Sequence, residues 1–176
     1  MNGGTHKLAG VCTGVIASSF LLNEPYTSEK VLLTGVLIGG SILGSLIPDI
    51  DHRQSKIGNK MKITSFIINK LCKHRGITHT PLLYMILSVI FLLPTILSDN
   101  FLNTFYFNLV FGIFIGIISH LFLDSLTISG IPLLYPFTKK KFHLLNYSTN
   151  RKEYLPKILI LLFTAVFLYV RVKYFV

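Results

Sequence analysis

Charged side chains are scarce in this chain: only 14% of its 176 residues are Asp, Glu, Lys or Arg. A soluble domain usually carries about a quarter of such residues. Cysteine is scarce too, since only Cys12 and Cys72 occur and neither has a C-x-x-C partner. This pattern excludes a disulfide framework and indicates free thiols in a reducing compartment. A G-x-S-x-G or similar nucleophile motif is also absent from the sequence.

Apolar residues make up half of the chain and occur in five long blocks. The blocks are Leu8–Leu22, Val31–Ile47, Leu82–Leu97, Phe105–Phe122 and Ile158–Val170. Several are shorter than the ~20 residues of an average spanning helix, but flanking residues can extend them and a bilayer can thin locally. Five such blocks leave too little polar surface to keep a helical bundle in water. We therefore predict one all-α domain, residues 1–176, that forms an integral membrane bundle of about five transmembrane helices.

The formal net charge is +10, and the basic residues lie between the apolar blocks. That placement suits membrane topology, so we expect the lipid bilayer, and no nucleic acid, as the partner. With a cytoplasmic N-terminus, fourteen Lys and Arg residues fall inside and three outside. The positive-inside rule then predicts a multi-pass protein of the cytoplasmic membrane. A signal peptide starting at Lys7 is the competing interpretation, but the loop after the first block lacks the expected basic charge.

Histidines and carboxylates converge on that same cytoplasmic face. The orientation follows from Lys and Arg alone, so this convergence supports it independently. Polar groups at bundle depth are costly and usually functional. We therefore predict a metal site there, with these candidate ligands: His6 before the first span, Asp49, Asp51 and His52 after the second, His74 and His79 before the third, and His120 and Asp124 at the end of the fourth.

The spacing within two of these segments suggests how the ligands could meet. Pro48 should end the second helix, and an extended Asp49-Ile50-Asp51 would point both carboxylates to one side. His120 and Asp124 are four residues apart, so on a helix they share one face. A structural hydrogen bond within the bundle is the plainer interpretation of that pair.

The ligand chemistry narrows the choice of metal. Imidazoles and carboxylates without cysteine favour zinc, with manganese or iron as alternatives, whereas calcium would prefer oxygen ligands alone. The candidates exceed the ligands of one catalytic zinc, so we expect one to three divalent ions. His6 by itself could equally be a surface residue, and we interpret His143, in a run of lysines, as a solvated side chain.

Five short segments resemble a known family. In chain order they are G-T-H-K-L at 4–8, L-I-P-D-I-D-H at 46–52, H-R-G-I-T-H-T at 74–80, S-H-L-F-L-D at 119–124 and G-I-P-L-L-Y-P at 130–136. They resemble the membrane-bound metal-dependent hydrolases, also described as YdjM-like, LexA-regulated inner-membrane hydrolases. The resemblance implies a bacterial inner-membrane hydrolase distantly related to zinc phospholipase C and P1-type nucleases, which favours phosphoester substrates. Where the family often has Gly-Ser before a glutamate, this chain has N-R-K-E at 150–153, which leaves the role of Glu153 open.

The sequence supports more than one function. The first hypothesis is metal-dependent hydrolysis of a phosphoester in a lipid or lipid-linked substrate, with Asp51 as general base and Arg75 holding a phosphate oxygen. Arg75 could equally be a positive-inside topology residue. The second hypothesis is a non-catalytic metal-binding regulator or partner of another membrane protein. A transporter is disfavoured, because Val31–Ile47 and Leu82–Leu97 contain no acid or histidine.

The loop between the second and third blocks has its own pattern. Apolar residues recur through 57–72 at nearly helical spacing, with lysines on the other side. Such a segment could lie flat on the anionic inner leaflet or pack on the bundle as a loop helix. The pattern does not choose between these two arrangements.

The basic bias makes the topology testable. A reporter fused after Lys141 should stay in the cytoplasm, and one fused at Asn100 should be exported, because fourteen of seventeen basic residues lie on one side. Periplasmic labelling of a cysteine introduced at Ser55 would contradict this orientation.

Overall fold

The computed structural model describes residues 1–20, 27–52, 54–71, 76–96, 100–148 and 153–175. Within these ranges the regular elements are all helices, without a regular strand. Two isolated bridges join Thr127 to Tyr147 and Ile131 to Phe142 in the irregular segment after the sixth α-helix. The α-helices are α1 Gly3–Ser18, α2 Ser28–Gly44, α3 Lys56–Lys60, α4 Lys62–Leu71, α5 Pro81–Leu92, α6 Phe101–Ser125 and α7 Tyr154–Phe175, with 3-10 turns at Ile47–Asp51, Ile77–His79 and Leu93–Ile96.

Each of the five apolar blocks lies mainly in a helix, which confirms the prediction of an all-helical membrane bundle. Three helical segments are long and apolar enough to cross a bilayer: Ser28–Asp51, Phe101–Ser125 and Tyr154–Tyr174. The other two apolar helical segments are shorter than a spanning helix: α1 has 16 residues, and the second is Pro81–Ile96. The amphipathic segment, as far as residue 71, forms two short helices, α3 and α4, that meet at Met61.

Polar residues define where two of the helices begin. The side chain of Asn2 accepts hydrogen bonds from the amides of Gly4 and Thr5 at 3.0 Å and so caps α1. Asn100 caps α6 in the same way through the amide of Asn103. These side chains satisfy amides that have no partner within the helix, and thereby fix the first turn. Because α1 starts at this cap, His6 lies in its first turns.

The centre of the bundle is a close contact between the backbones of α2 and α6. A Cβ atom added to Gly40 would lie 2.6 Å from the carbonyl oxygen of Leu109. Cβ atoms on Gly44, Gly112 or Gly116 would meet carbonyl oxygens of the facing helix even more closely. Only glycine fits such a contact, and small residues spaced four apart are the usual solution in membrane helices.

Helix α1 joins this pair through small residues as well. The hydroxyl of Ser41 donates to the carbonyl of Gly10 at 2.7 Å and lies 3.1 Å from the hydroxyl of Thr13. Gly14 packs on the backbone of Ile38. Hydroxyl-to-carbonyl bonds of this kind hold helices together where no water competes. Helix α7 then packs on α1, and α5 packs on α6.

Helices α2 and α6 run parallel. Leu37 meets Gly112, Ser41 meets Gly116, and the carbonyl of Ser45 meets His120, so contacts advance along both helices in the same direction. The C-terminal ends of both helices therefore reach the same side of the bundle. The 3-10 turn after α2 and the last turn of α6 are adjacent as a result.

The glycine contact predicts unequal effects for two neighbouring alanine substitutions on α2. Gly44→Ala should destabilise the protein by about 1–3 kcal/mol, because its Cβ collides with the backbone of α6. Gly39→Ala is the matched control, since a Cβ there meets nothing within 4 Å and alanine favours a helix. Thermal unfolding in detergent measures both, and equal stability of the two variants would contradict the proposed packing.

Candidate metal centre

Five predicted ligands come together where α2 and α6 end. Among the residues that the structure describes, two groups of donor atoms could hold a metal ion: His6, His120 and Asp124 form one, and Asp49, His79 and His120 form the other. Within each group the donor atoms lie within 4.8 Å of one another. Because His120 belongs to both groups, they form one continuous cluster.

His79 and His120 each lie close to one oxygen of Asp49 and one oxygen of Asp124. His120 Nε2 lies 3.8 Å from Asp49 Oδ1 and 3.8 Å from Asp124 Oδ2. His79 Nε2 lies 3.8 Å from the same Asp49 oxygen and 3.6 Å from the same Asp124 oxygen. Ligands on a tetrahedral zinc, with bonds of about 2.0–2.2 Å, are roughly 3.3–3.6 Å apart. The four histidine–carboxylate distances are close to this range, so each histidine could share an ion with either carboxylate after a small inward shift.

His6 meets the other oxygen of Asp124. Its Nε2 lies 3.3 Å from Asp124 Oδ1, which also accepts a hydrogen bond from the Met1 amino group at 3.0 Å. The His6 ring stacks on His120 with the ring centroids 3.7 Å apart and the planes 16° apart. Asp124 thus presents its two oxygens to different donors, the geometry of a carboxylate that could serve two neighbouring ions.

Contacts behind the imidazoles orient them. His120 Nδ1 lies 2.7 Å from the carbonyl of Ser45, which can only accept, so Nδ1 carries the hydrogen and the Nε2 lone pair faces the cluster. His79 Nδ1 lies 3.6 Å from Asp51 Oδ2 and 3.2 Å from the hydroxyl of Thr78, which donates to Asp51. A carbonyl or carboxylate behind each histidine is typical of metal ligands.

Burial makes the charge of this cluster costly without a cation. His6, His79, His120 and Asp51 are fully buried and Asp124 nearly so. Even with the Met1 ammonium beside Asp124, three carboxylates and neutral imidazoles leave excess negative charge in a site that water reaches poorly. A divalent cation would offset that charge. Asp49 is the exception, since 19% of its side chain is exposed. The cluster is therefore closed on most sides and open at Asp49.

The electrostatics of His79 link metal binding to pH. Burial lowers the pKa of His79, but its interactions with the Asp49 and Asp51 carboxylates outweigh burial and hold that pKa above the ordinary 6.5. A proton therefore remains on His79 at higher pH than on a free imidazole. A metal ion has to displace that proton, so metal affinity should fall as pH decreases through this raised pKa.

The structure corrects the expected geometry of the Asp49–Asp51 pair. An extended D-x-D was predicted, but Ile47–Asp51 is a 3-10 turn, in which residues two apart point in different directions. Asp49 faces the donor cluster, whereas Asp51 lies on the other side of the His79 ring. Asp51 therefore lies behind His79 and is in neither of the two donor groups.

Of the three other candidates, His52, His74 and Arg75, the structure describes only His52. His52 is described by the structure, yet neither group includes it. His74 and Arg75 lie outside the described residues, so their predicted roles rest on the sequence. His143 is exposed, and its Nδ1 lies 3.2 Å from the carbonyl of Thr127.

The sequence did not reveal which residues support the donor groups. The carbonyl of Ser45 leaves no side-chain signal, so no motif could have revealed it. Thr78 lies within the H-R-G-I-T-H segment, where its position before His79 was the available clue. Glu153 accepts a hydrogen bond from the side chain of Asn2, the cap of α1. This contact ties the start of α7 to the helix that carries His6.

Comparisons with known proteins agree on one family. The family profile described as YdjM inner membrane protein matches residues 1–175. A Bacillus subtilis protein named "Uncharacterized protein YvsG" is 36% identical over 138 residues, 78% of this chain and 75% of the relative. "Inner membrane protein YdjM" of Escherichia coli is 35% identical over 100 residues, 57% of this chain and 49% of the relative, and the Shigella flexneri protein gives the same values. The chain thus spans about half the length of these two. No solved structure matches significantly.

The cluster predicts which histidines matter for metal binding. Loss of a contact that only supports a ligand typically lowers metal affinity by about 10–100-fold. His120→Ala should lower it further, because His120 belongs to both donor groups. His143→Ala is the matched control, since His143 is exposed and belongs to neither group. Elemental analysis after dialysis against a graded chelator gives the comparison. Equal metal content in both variants and in the wild type would contradict the site.

Proposed function

Since this chain belongs to the YdjM family of inner membrane proteins, we propose that it is a metal-dependent hydrolase that cleaves a phosphoester of a lipid or lipid-linked substrate. The observation that carries the proposal is the buried histidine and carboxylate cluster with one open edge at Asp49. Structural metal sites are closed, whereas catalytic sites keep a position for water or substrate. An open edge at the end of two membrane helices favours catalysis at the membrane surface.

The donor set suits a hydrolytic metal. It consists of imidazole nitrogens and carboxylate oxygens, which favour zinc, with manganese or iron as alternatives. When bound, such an ion would lower the pKa of a water molecule and polarise a phosphoryl oxygen. Asp49, His79 and His120 would hold one ion. His6, His120 and Asp124 could contribute to another.

The surrounding residues have separable roles in this proposal. The Ser45 carbonyl and the Asp51 carboxylate keep the imidazoles of His120 and His79 directed at the cluster. Asp51 is fully buried behind His79, which supports a positioning role over the general-base role proposed from the sequence. Asp49 keeps partial exposure, so it is the carboxylate best placed to accept a proton from an attacking water.

Arg75 keeps its sequence-based role in the proposal. It lies in the H-R-G-I-T-H segment, four residues before His79, and its guanidinium could hold two oxygens of a phosphoryl group. The non-catalytic alternative, a metal-binding regulator or partner protein, requires the same ligands but no open coordination position. The exposed edge at Asp49 favours the hydrolase over that alternative.

The proposal is tested with full-length protein in nanodiscs, stripped by a chelator and reloaded with zinc or manganese. Loaded wild type should hydrolyse a phosphoester from a panel of lipid and soluble substrates, and stripped protein should not. Asp51→Asn keeps the side-chain shape but weakens the support of His79, so activity or metal affinity should fall about 10–100-fold. His143→Ala should leave activity unchanged.

Two results would count against this function. Loaded wild type that binds metal but hydrolyses none of the substrates would favour the regulator. Full activity and metal affinity in Asp51→Asn would remove Asp51 from its positioning role.

A further inference from the structure

Helix α4 has its polar side towards the protein and its apolar side outwards. Ser65 is fully buried, and the Asn69 side chain donates to the carbonyl of Asp51 at 2.7 Å. On the opposite side, 79% of Ile63 is exposed, together with about half of Phe66 and of Ile67. A helix on the surface of a soluble protein has the reverse arrangement. The exposed face of α4 is therefore built for an apolar environment.

A second segment with the same character follows α6. Residues 127–148 form an irregular loop held by the two isolated bridges. Phe137 is 83% exposed, and more than half of Leu134 and of Leu145 is exposed. Because α2 and α6 run parallel, the segments that follow them emerge at the same side of the bundle. Two exposed apolar surfaces thus lie on the side that holds the metal cluster.

The charged side chains around both surfaces are basic. Neither 52–71 nor 125–148 contains an aspartate or glutamate. The three carboxylates nearest in sequence, Asp49, Asp51 and Asp124, belong to the buried cluster and its support. The exposed lysines beside the apolar residues are Lys60, Lys62 and Lys70 on the first segment and Lys139, Lys140 and Lys141 on the second.

Exposed apolar residues together with lysines indicate which environment these two surfaces contact. Helix α4 has only 10 residues, too few to cross a bilayer, and its lysines oppose deep insertion. Apolar residues flanked by lysines suit the headgroup layer, where the former reach the acyl chains and the latter meet lipid phosphates. An anionic leaflet adds attraction for each lysine.

We propose that α4 and the 127–148 loop form a lipid-binding surface that lies in the headgroup layer of an anionic leaflet. The surface is independent of the proposed hydrolysis, because its residues are distinct from the metal cluster. The Asn69 bond to the Asp51 carbonyl connects α4 directly to the turn that carries Asp49 and Asp51. This bond holds the lipid-binding surface of the protein in position next to the metal cluster.

The chain contains no tryptophan, so a single introduced one reports the position of α4 without background. Phe66→Trp is placed in nanodiscs that hold one protein copy each, which excludes a second copy as the covering partner. Acyl-brominated phosphatidylglycerol and phosphatidylcholine serve as lipid quenchers, and acrylamide serves as the aqueous quencher. Gln54→Trp, at an exposed polar position before α3, is the control.

The fluorescence of the Phe66→Trp protein should be quenched by brominated lipid and protected from acrylamide, while the Gln54→Trp protein should show the opposite. Lipid quenching of the Phe66→Trp protein should be stronger with phosphatidylglycerol than with phosphatidylcholine. Replacing Lys60, Lys62 and Lys70 by glutamine in this protein should reduce that preference by up to about fivefold for each lysine. Retained metal binding after these replacements verifies that the bundle is intact.

Three results would overturn the proposal. Equal acrylamide quenching of the Phe66→Trp and Gln54→Trp proteins would place the α4 face in water. Protection of the Phe66→Trp fluorescence from both quenchers would show that protein covers this face. Lipid quenching with the same headgroup preference before and after the lysine substitutions would exclude recognition of anionic lipid by the lysines around α4, on which the proposed surface depends. None of these results depends on whether the protein hydrolyses a phosphoester.

Discussion

The backbone contact between α2 and α6 determines the rest of this structure. Four glycines bring the two helices together so closely that a Cβ atom would collide with a carbonyl of the facing helix. That distance lets the Ser45 carbonyl reach His120 Nδ1. It also places the turn after α2 beside the last turn of α6. Packing of small residues deep in the bundle therefore fixes the donor atoms at its end.

The cluster illustrates how a membrane bundle can hold charged groups. Carboxylates and imidazoles occupy the ends of α2 and α6, while glycines and backbone atoms form the closest contact between the two helices. Each buried imidazole of His79 and His120 has a partner behind it, which keeps one nitrogen directed at the other donors. Cation binding would lower the cost of burying the carboxylates. The same arrangement would then serve both the stability of the bundle and the binding of a cation.

The 57–72 segment shows what hydrophobic periodicity can predict and what it cannot. The 57–72 segment was recognisable as amphipathic, but its pattern fitted both a membrane-surface helix and a helix packed on the bundle. The structure turns Ile63 and Phe66 outwards and Ser65 inwards. Only the position of α4 relative to the turn at Asp51 could decide this, because hydrophobic periodicity identifies a face without identifying what covers it.

The sequence alone determined the helices, their apolar character and the ligands that α6 carries. Long apolar runs have few alternatives to helices in a membrane, and residues four apart on a helix share a face, so His120 and Asp124 were predictable as a pair. The tertiary structure decided where the side chains of Asp51 and His6 lie. A 3-10 turn directs Asp51 behind His79, and the docking of α1 stacks His6 on His120. Such directions depend on local backbone rotation and on helix contacts between residues far apart in the chain, which no short motif encodes.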